Sequence, residues 1–248
     1  MAKTEGAPRP VILAVGLGRG GGGKSTGIAE AVWRARAGGR DPIIADGDMR
    51  SGTLNGLFPG ETVRPETEEL PDGKAWIGRV LNRMAKERRS CAMDLGAGDP
   101  LLKEYGRDLD LVGFCEKRRI EPVALYYLGP EEEDLNHCLS IWKSGAFRPE
   151  RAMLLCNEGV IREGKTVAGA FEKTLAHPGF QEMVKGGAVP ILMRRLPCID
   201  LVRKPGLGFY AAAAGEGSLD PVEEYMVGSW TDALETARAN VGASEWLP

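Results

Sequence analysis

The sequence predicts an α/β fold, a mostly parallel, doubly wound sheet with helices on both faces. Three observations carry that expectation. Short apolar runs alternate along the chain with stretches of helical character. The first run, 11–15, passes through a glycine-rich turn straight into a helical stretch opening at Ser25. The chain has 248 residues, 43% of them hydrophobic and 27% charged, enough for one α/β domain with a sizeable core.

The elements follow in order. Strands are expected at 11–15, 42–45, 91–95, 122–128, 152–156 and 189–193, where apolar runs are bounded by turn residues. Helices are expected between them, at 25–37, 76–88, 100–117, 131–143 and 166–175, with a last one at 221–239. Residues 59–73 are acidic and hold three prolines, which reads as a surface loop or lid. Residues 1–9 are polar and read as a flexible N-terminal arm. No repeat and no long linker divides the remainder, so 10–248 is expected to be a single domain.

Composition narrows the function. A net charge of −3 excludes a basic nucleic-acid coat, although a local patch remains compatible with it. No apolar run is long enough to span a bilayer and no signal-peptide pattern opens the chain, so a cytoplasmic location is expected. The five cysteines are widely spaced without a C-x-x-C, and Cys91, Cys115 and Cys156 lie in apolar runs. They read as reduced core residues rather than metal ligands.

The turn after the first strand carries the chemistry. From Gly18 to Ser25 it spells G-x-x-x-x-G-K-S, the Walker A or P-loop spacing. Gly20, Gly21, Gly22 and Gly23 let backbone N–H groups turn inward around phosphate oxygens without Cβ clashes. Lys24 is placed to meet the β- and γ-phosphates. Ser25 is placed to offer a hydroxyl to Mg²⁺, and Thr26 continues the helix whose positive end faces the anion. Gly16, Gly18 and Gly21 also spell G-x-G-x-x-G, a dinucleotide fingerprint. That reading leaves Lys24 and Ser25 unexplained and puts a helix start among poor helix formers.

Three aspartates end strands on the same side. Asp46 and Asp48 close the second strand, and Asp94 closes the third. In a doubly wound sheet these strand ends share one crevice with the P-loop. Asp94 has the form of a Walker B aspartate for Mg²⁺. Asp48 can approach the metal and orient or deprotonate an attacking water. Either Asp46 or Asp48 can instead cap the next element, as aspartates commonly do. The small residues at 96–98 permit a mobile loop near the γ-phosphate, with Asp99 as a helix cap. Asn157, at the end of the fifth strand, can meet an adenine edge or simply sit in the turn before Gly159.

These residues resemble a known group. RGGGGKST is similar to the deviant Walker A signature K-G-G-x-G-K-[ST] of the ParA/MinD family of ATPases. The D-x-D after the second strand and the Asp after the third complete that family's usual trio. The stretch RRLPCIDLVRKPGLG resembles the family loop that sets a proline, here Pro197, near the adenine. DLGAGDPLLKEY and IEPVALYYLGPEEEDL resemble ParA-like proteins of plasmid maintenance and conjugal transfer, of the StbB and TraL type. The resemblance implies ATP or ADP with Mg²⁺ as ligands, slow ATP hydrolysis, an ATP-dependent homodimer and a partner protein, an adaptor or a DNA-binding protein.

Two departures from the family pattern matter. Its signature lysine, which reaches the partner's phosphates across the dimer, is replaced by Arg19. Charge is kept while length and geometry change. The tail ETARANVGASEWLP lacks the basic, amphipathic character of a membrane-targeting helix, so no membrane insertion is expected. For nonspecific DNA binding the candidates are Arg194, Arg195, Arg203 and Lys204, with Arg118 and Arg119 as a second cluster. The alternative function is a small-molecule kinase or ATP-dependent ligase on the same scaffold.

Overall fold

The computed structural model describes residues 10–96, 99–162 and 166–248. The arm expected at 1–9, residues 97–98 of the small-residue loop and the side chain of Asp99 lie outside the described residues.

A seven-stranded sheet organises the chain, and every described strand pair is parallel. The strands are β1 (Val11–Leu17), β2 (Ile43–Asp46), β3 (Thr62–Val63), β4 (Cys91–Asp94), β5 (Ile120–Leu128), β6 (Arg151–Asn157) and β7 (Val189–Met193), in the order β3-β2-β4-β1-β5-β6-β7. β1 is central and wholly buried. Its side chains alternate between two cores: Val11, Leu13, Val15 and Leu17 face one, Ile12 and Ala14 the other. Burial on both faces is why these strands read as continuous apolar runs.

The first core is closed by α3 (Leu70–Glu87), α4 (Asp99–Leu109), α5 (Leu111–Lys117), α6 (Glu132–Ser144) and α8 (Pro178–Lys185). The second is closed by α1 (Lys24–Ala37), α2 (Thr53–Leu57), α10 (Phe209–Ala213) and α11 (Pro221–Asn240). There Trp33 of α1 meets Phe58 at 5.3 Å and Phe209 at 5.0 Å, and Phe209 meets Trp230 at 4.8 Å between ring centroids. Burying each such ring or a large aliphatic side chain stabilises the fold by roughly 1.5–3 kcal/mol. The aromatic chain fastens the last helix to the helix that leaves the P-loop.

A buried ionic cluster makes the same connection. Glu30 of α1 and Arg238 of α11 are both almost fully buried and pair through both guanidinium Nη atoms. Glu235 accepts two bonds from Arg34, at 2.7 and 2.9 Å. The Tyr210 hydroxyl lies 2.7 Å from Glu30 and 2.8 Å from Glu235. The chain end packs here too: Leu247 is buried, and the Ser244 and Leu247 carbonyls accept from Arg34 and Arg40. Among the described residues no helix is long and apolar enough to cross a membrane.

Three expectations are corrected. Residues 59–73 are more than a surface loop. They hold the edge strand β3, paired to β2 through Ile44–Thr62 and Ala45–Val63, and they run into α3. Two residues are too short to show alternation, and Pro71 sits in the first turn of α3, where its missing N–H costs nothing. The helix expected at 100–117 breaks into α4 and α5 at Asp110, which adopts a left-handed φ of 50° and accepts from Gly113 N. The helix expected at 166–175 is reduced to α7 (Glu172–Ala176), and α8 follows across His177–Pro178. The residue before a proline is driven out of the helical region. His177 has extended backbone there and caps α8 through Nδ1 on Gly179 N. The short helices α9 (Ile199–Val202) and α10 were not expected.

Candidate functional site

The P-loop joins β1 to α1 at the C-terminal edge of the sheet, where ligands of open parallel sheets bind. Its path depends on glycine at two positions. Gly18 has φ 132°, and a Cβ there would lie 2.5 Å from the Tyr127 carbonyl oxygen. Gly23 has φ 88°, and a Cβ would lie 2.1 Å from the Asn157 amide nitrogen. Either substitution would push the loop off the strands that support it. Gly20 and Gly21 face open space, with nothing within 4 Å of a built Cβ.

The helix that follows starts with unspent donors. Gly27 N bonds Gly23 O at 3.0 Å, so the N–H groups of Lys24, Ser25 and Thr26 have no carbonyl within α1 to meet. Lys24 is only 5% exposed, yet its ammonium folds back on the Arg19 carbonyl at 2.8 Å. A lysine ammonium has three N–H donors, so this one contact leaves capacity for anionic oxygens. Its charge also bears on Asp48 and Asp94.

Ser25 and Asp94 meet. The Ser25 hydroxyl donates to Asp94 Oδ2 at 2.5 Å, and Gly96 N donates to Asp94 Oδ1 at 2.9 Å. Asp94 is fully buried. Burial pushes its carboxyl above the ordinary range, against the Ser25 and Gly96 hydrogen bonds and the Lys24 charge. A hydroxyl and a carboxylate held together beside a lysine and a glycine cradle are the donor set a phosphate-bound Mg²⁺ takes. The residues present therefore fit Mg²⁺ with a nucleotide phosphate chain.

The D-x-D pair divides its work. Asp46 is fully buried and accepts from Asp48 N at 2.9 Å and Asn55 N at 3.0 Å, with Arg64 Nε at 3.6 Å. It ties the end of β2 to α2 and to the segment after β3. Asp48 lies further out and beside Gly96, whose built Cβ would stand 2.8 Å from that of Asp48. Its carboxylate accepts from Arg50 N, Ser51 N and Ser51 Oγ at 3.1, 3.0 and 2.6 Å. Partial burial would raise its pKa, but these bonds prevail and hold it below the ordinary carboxylate range. Asp48 is thus both a turn cap and an ionised group at the mouth of the site.

The remaining expected residues take distinct places. Asn157 is buried against the P-loop: its Nδ2 donates to Gly22 O at 3.1 Å, and its Oδ1 accepts from Gly159 N at 2.9 Å. Arg19 is about half exposed and reaches Asp134 of α6 at 3.5 Å. Pro197 is exposed and lines a cavity of about 220 Å³ with Arg194, Tyr225 and Trp230, beside α11. The expected basic patch splits. Arg195 is turned inward onto the Glu158 and Ile161 carbonyls, and Arg203 onto Thr26 and Asp200, whereas Arg194 and Lys204 are exposed. Arg119 lies at the opposite end of the sheet, in a cavity of about 820 Å³ at the start of β1 and β5 that shares no residue with the P-loop.

All five cysteines are reduced thiols, and burial pushes those of Cys115 and Cys156 up to about 12. Sequence reasoning missed Asp134 and Arg64 as site neighbours. The acidic run 131–134 signalled the start of α6 but not its meeting with Arg19.

No family model matches the chain, and no curated protein matches it by sequence. Among solved structures it is similar to a Cyanothece McdA–ATP complex, at 15% identity and TM-score 0.49, over 92% of this chain and 97% of that one. It is also similar to the Aquifex aeolicus cell division protein MinD, at 13% identity and TM-score 0.48, over 94% and 97%. A third likeness is chloroplast FtsY from Physcomitrella patens, at 16% identity and TM-score 0.44. It covers 92% of this chain, which spans only 66% of that one. The fold is an α/β P-loop fold, as the parallel sheet and the strand–loop–helix at β1–α1 require.

Proposed function

We propose that this chain is a switch ATPase of the ParA/MinD type, which binds ATP and ADP with Mg²⁺, hydrolyses ATP slowly and dimerises around ATP. The observation that carries the reading is the convergence of Lys24, the Ser25–Asp94 pair and the glycine cradle at one strand–helix junction. Lys24 and the loop N–H groups hold the phosphates. Ser25 and Asp94 hold Mg²⁺, which when bound neutralises charge on the β- and γ-phosphates. Asp48 orients the attacking water. A carboxylate held below its ordinary range is a weak base, so it acts by accepting a hydrogen bond rather than by taking the proton. It already accepts three bonds and has capacity for about one more. The resemblance sets Pro197 near the adenine, whereas the Asn157 amide, engaged by Gly22 O and Gly159 N, supports the P-loop rather than the base.

Dimerisation rests on Arg19. Lys24 serves the phosphates from within the chain, so a second, half-exposed cation at the loop's outer edge has most to gain from a partner's nucleotide. A process in plasmid partition or conjugal transfer, with a protein partner, belongs to the same reading and rests on the sequence resemblance. Sedimentation with and without a nonhydrolysable ATP analogue tests the switch. The wild type should shift from monomer to dimer, and Arg19→Ala should lose most of that shift while keeping ADP affinity. A wild type that stays monomeric at saturating analogue, or a dimer indifferent to Arg19→Ala, would overturn it.

A further inference from the structure

The hydroxyl next to Ser25 is engaged by the segment beyond the edge strand β7, on the face of the sheet that α1 covers. Arg203, just after α9, donates from Nη1 to Thr26 Oγ1 at 3.0 Å and from Nη2 to Asp200 Oδ1 at 3.4 Å. The residues are 177 positions apart, so only the fold brings them together. Thr26 is buried, and the Arg203 side chain is 35% exposed. Asp200 is 84% exposed, so it neutralises the guanidinium only weakly. A cation is thereby delivered to the first turn of α1 with most of its charge uncompensated.

Sheet order gives the site a direction. β4, which ends in Asp94, and β2, which Asp48 follows, lie on one side of β1, and β5, β6 and β7 lie on the other. Ser25 is turned toward the β4 side by its bond to Asp94. Arg203 arrives from the segment beyond β7, and Asn157 from the end of β6. A phosphate chain with its metal-bearing end at Ser25 and Asp94 therefore runs its inner end toward Thr26 and its nucleoside toward β6 and β7.

We propose that Arg203 binds the α-phosphate of the nucleotide within the same chain. The inference rests on the nucleotide reading of the P-loop given above. Arginine only donates, with five N–H groups in a planar fork that suits two phosphate oxygens. Since Thr26 accepts from Arg203, its own hydroxyl proton is left to donate to the same phosphate. Arg203 thus contributes one contact directly and orients a second. This role differs from the DNA contact expected of Arg203 from its sequence neighbours.

Calorimetric titration with ADP and Mg²⁺, and with the two diastereomers of ADP carrying sulfur on the α-phosphate, tests the assignment. Losing a charge-assisted contact should weaken ADP binding by about tenfold or more in Arg203→Gln. Arg203→Lys should recover part of it. In the wild type, sulfur at one α-position should cost affinity, and in Arg203→Gln that cost should vanish. The assignment is overturned if Arg203→Gln binds ADP like the wild type, if it weakens ADP but keeps the sulfur effect, or if the wild type is indifferent to sulfur at both positions. Lys24→Ala separates the two levels. If it binds ADP with wild-type affinity, the nucleotide reading itself fails and takes this assignment with it. If it loses ADP while Arg203→Gln does not, only the Arg203 assignment fails.

Discussion

Ser25 and Asp94 stand 69 residues apart in the chain, and the Ser25 hydroxyl donates to the Asp94 carboxylate at 2.5 Å. The contact crosses from the helix after β1 to the end of β4, the immediate neighbour of β1 in the sheet. It brings together two side-chain oxygens that each element alone would leave solitary.

The first consequence concerns metal dependence. Asp94→Asn should bind ADP without Mg²⁺ much as the wild type does, and should lose the gain in affinity that Mg²⁺ gives. Burial raises the Asp94 carboxyl, and only its ionised form holds a cation. The Mg²⁺ gain should therefore decline on acidification from a pH above the ordinary carboxylate range. Titrations of ADP with and without Mg²⁺ across pH check this, and an undiminished Mg²⁺ gain in Asp94→Asn would contradict it.

Asp48 should separate catalysis from binding. Asp48→Asn keeps an acceptor for the Arg50 and Ser51 amides and removes the charge at the mouth of the site. Its ATP turnover should fall by about a hundredfold, in the range of a lost positioning group, with ADP affinity nearly unchanged. Steady-state hydrolysis set beside calorimetry reads the two effects. Equal losses in both would make Asp48 a turn cap alone.

The buried cluster behind α1 should control stability. Arg238→Met leaves the Glu30 carboxylate buried without its partner and should cost about 3–5 kcal/mol in denaturant unfolding. Partial burial would raise Glu235, but hydrogen bonds from Arg34 and Tyr210 and the Arg238 charge lower it from 4.5 to about 2. A depressed carboxylate stabilises the fold fully above its unfolded pKa, and that stability is lost as pH falls through the folded value. The stability difference between wild type and Glu235→Gln should therefore shrink as pH drops from about 4.5 toward 2. A difference that stays constant over that interval would show that Glu235 does not titrate as its contacts require.

Much of the site was legible because its chemistry is local. The P-loop needs fixed residue types at fixed spacing between a strand and a helix, and Gly18 to Thr26 display both. Asp94 was legible as the polar end of an apolar strand. Asp48 is preferred over Asp46 from its place further along the chain, but the burial of Asp46 and partners such as Asn55 and Ser51 leave no sequence pattern. The edge strand β3 was too short to leave a period. The split at His177–Pro178 was written in the sequence and follows from the proline rule. Arg203 on Thr26 and Arg238 on Glu30 join residues 177 and 208 positions apart, and no periodic pattern encodes such pairs.

The most direct test of the account is calorimetric titration of ATP with Mg²⁺ into the wild type and Lys24→Ala. The Lys24 ammonium is buried in the loop, held by the Arg19 carbonyl, and set beside the Ser25–Asp94 pair. If the loop exists to hold a nucleotide, the wild type binds MgATP and Lys24→Ala does not bind it measurably at the same concentrations. Unchanged affinity in Lys24→Ala, or a wild type that binds neither ATP nor ADP, would contradict the central claim.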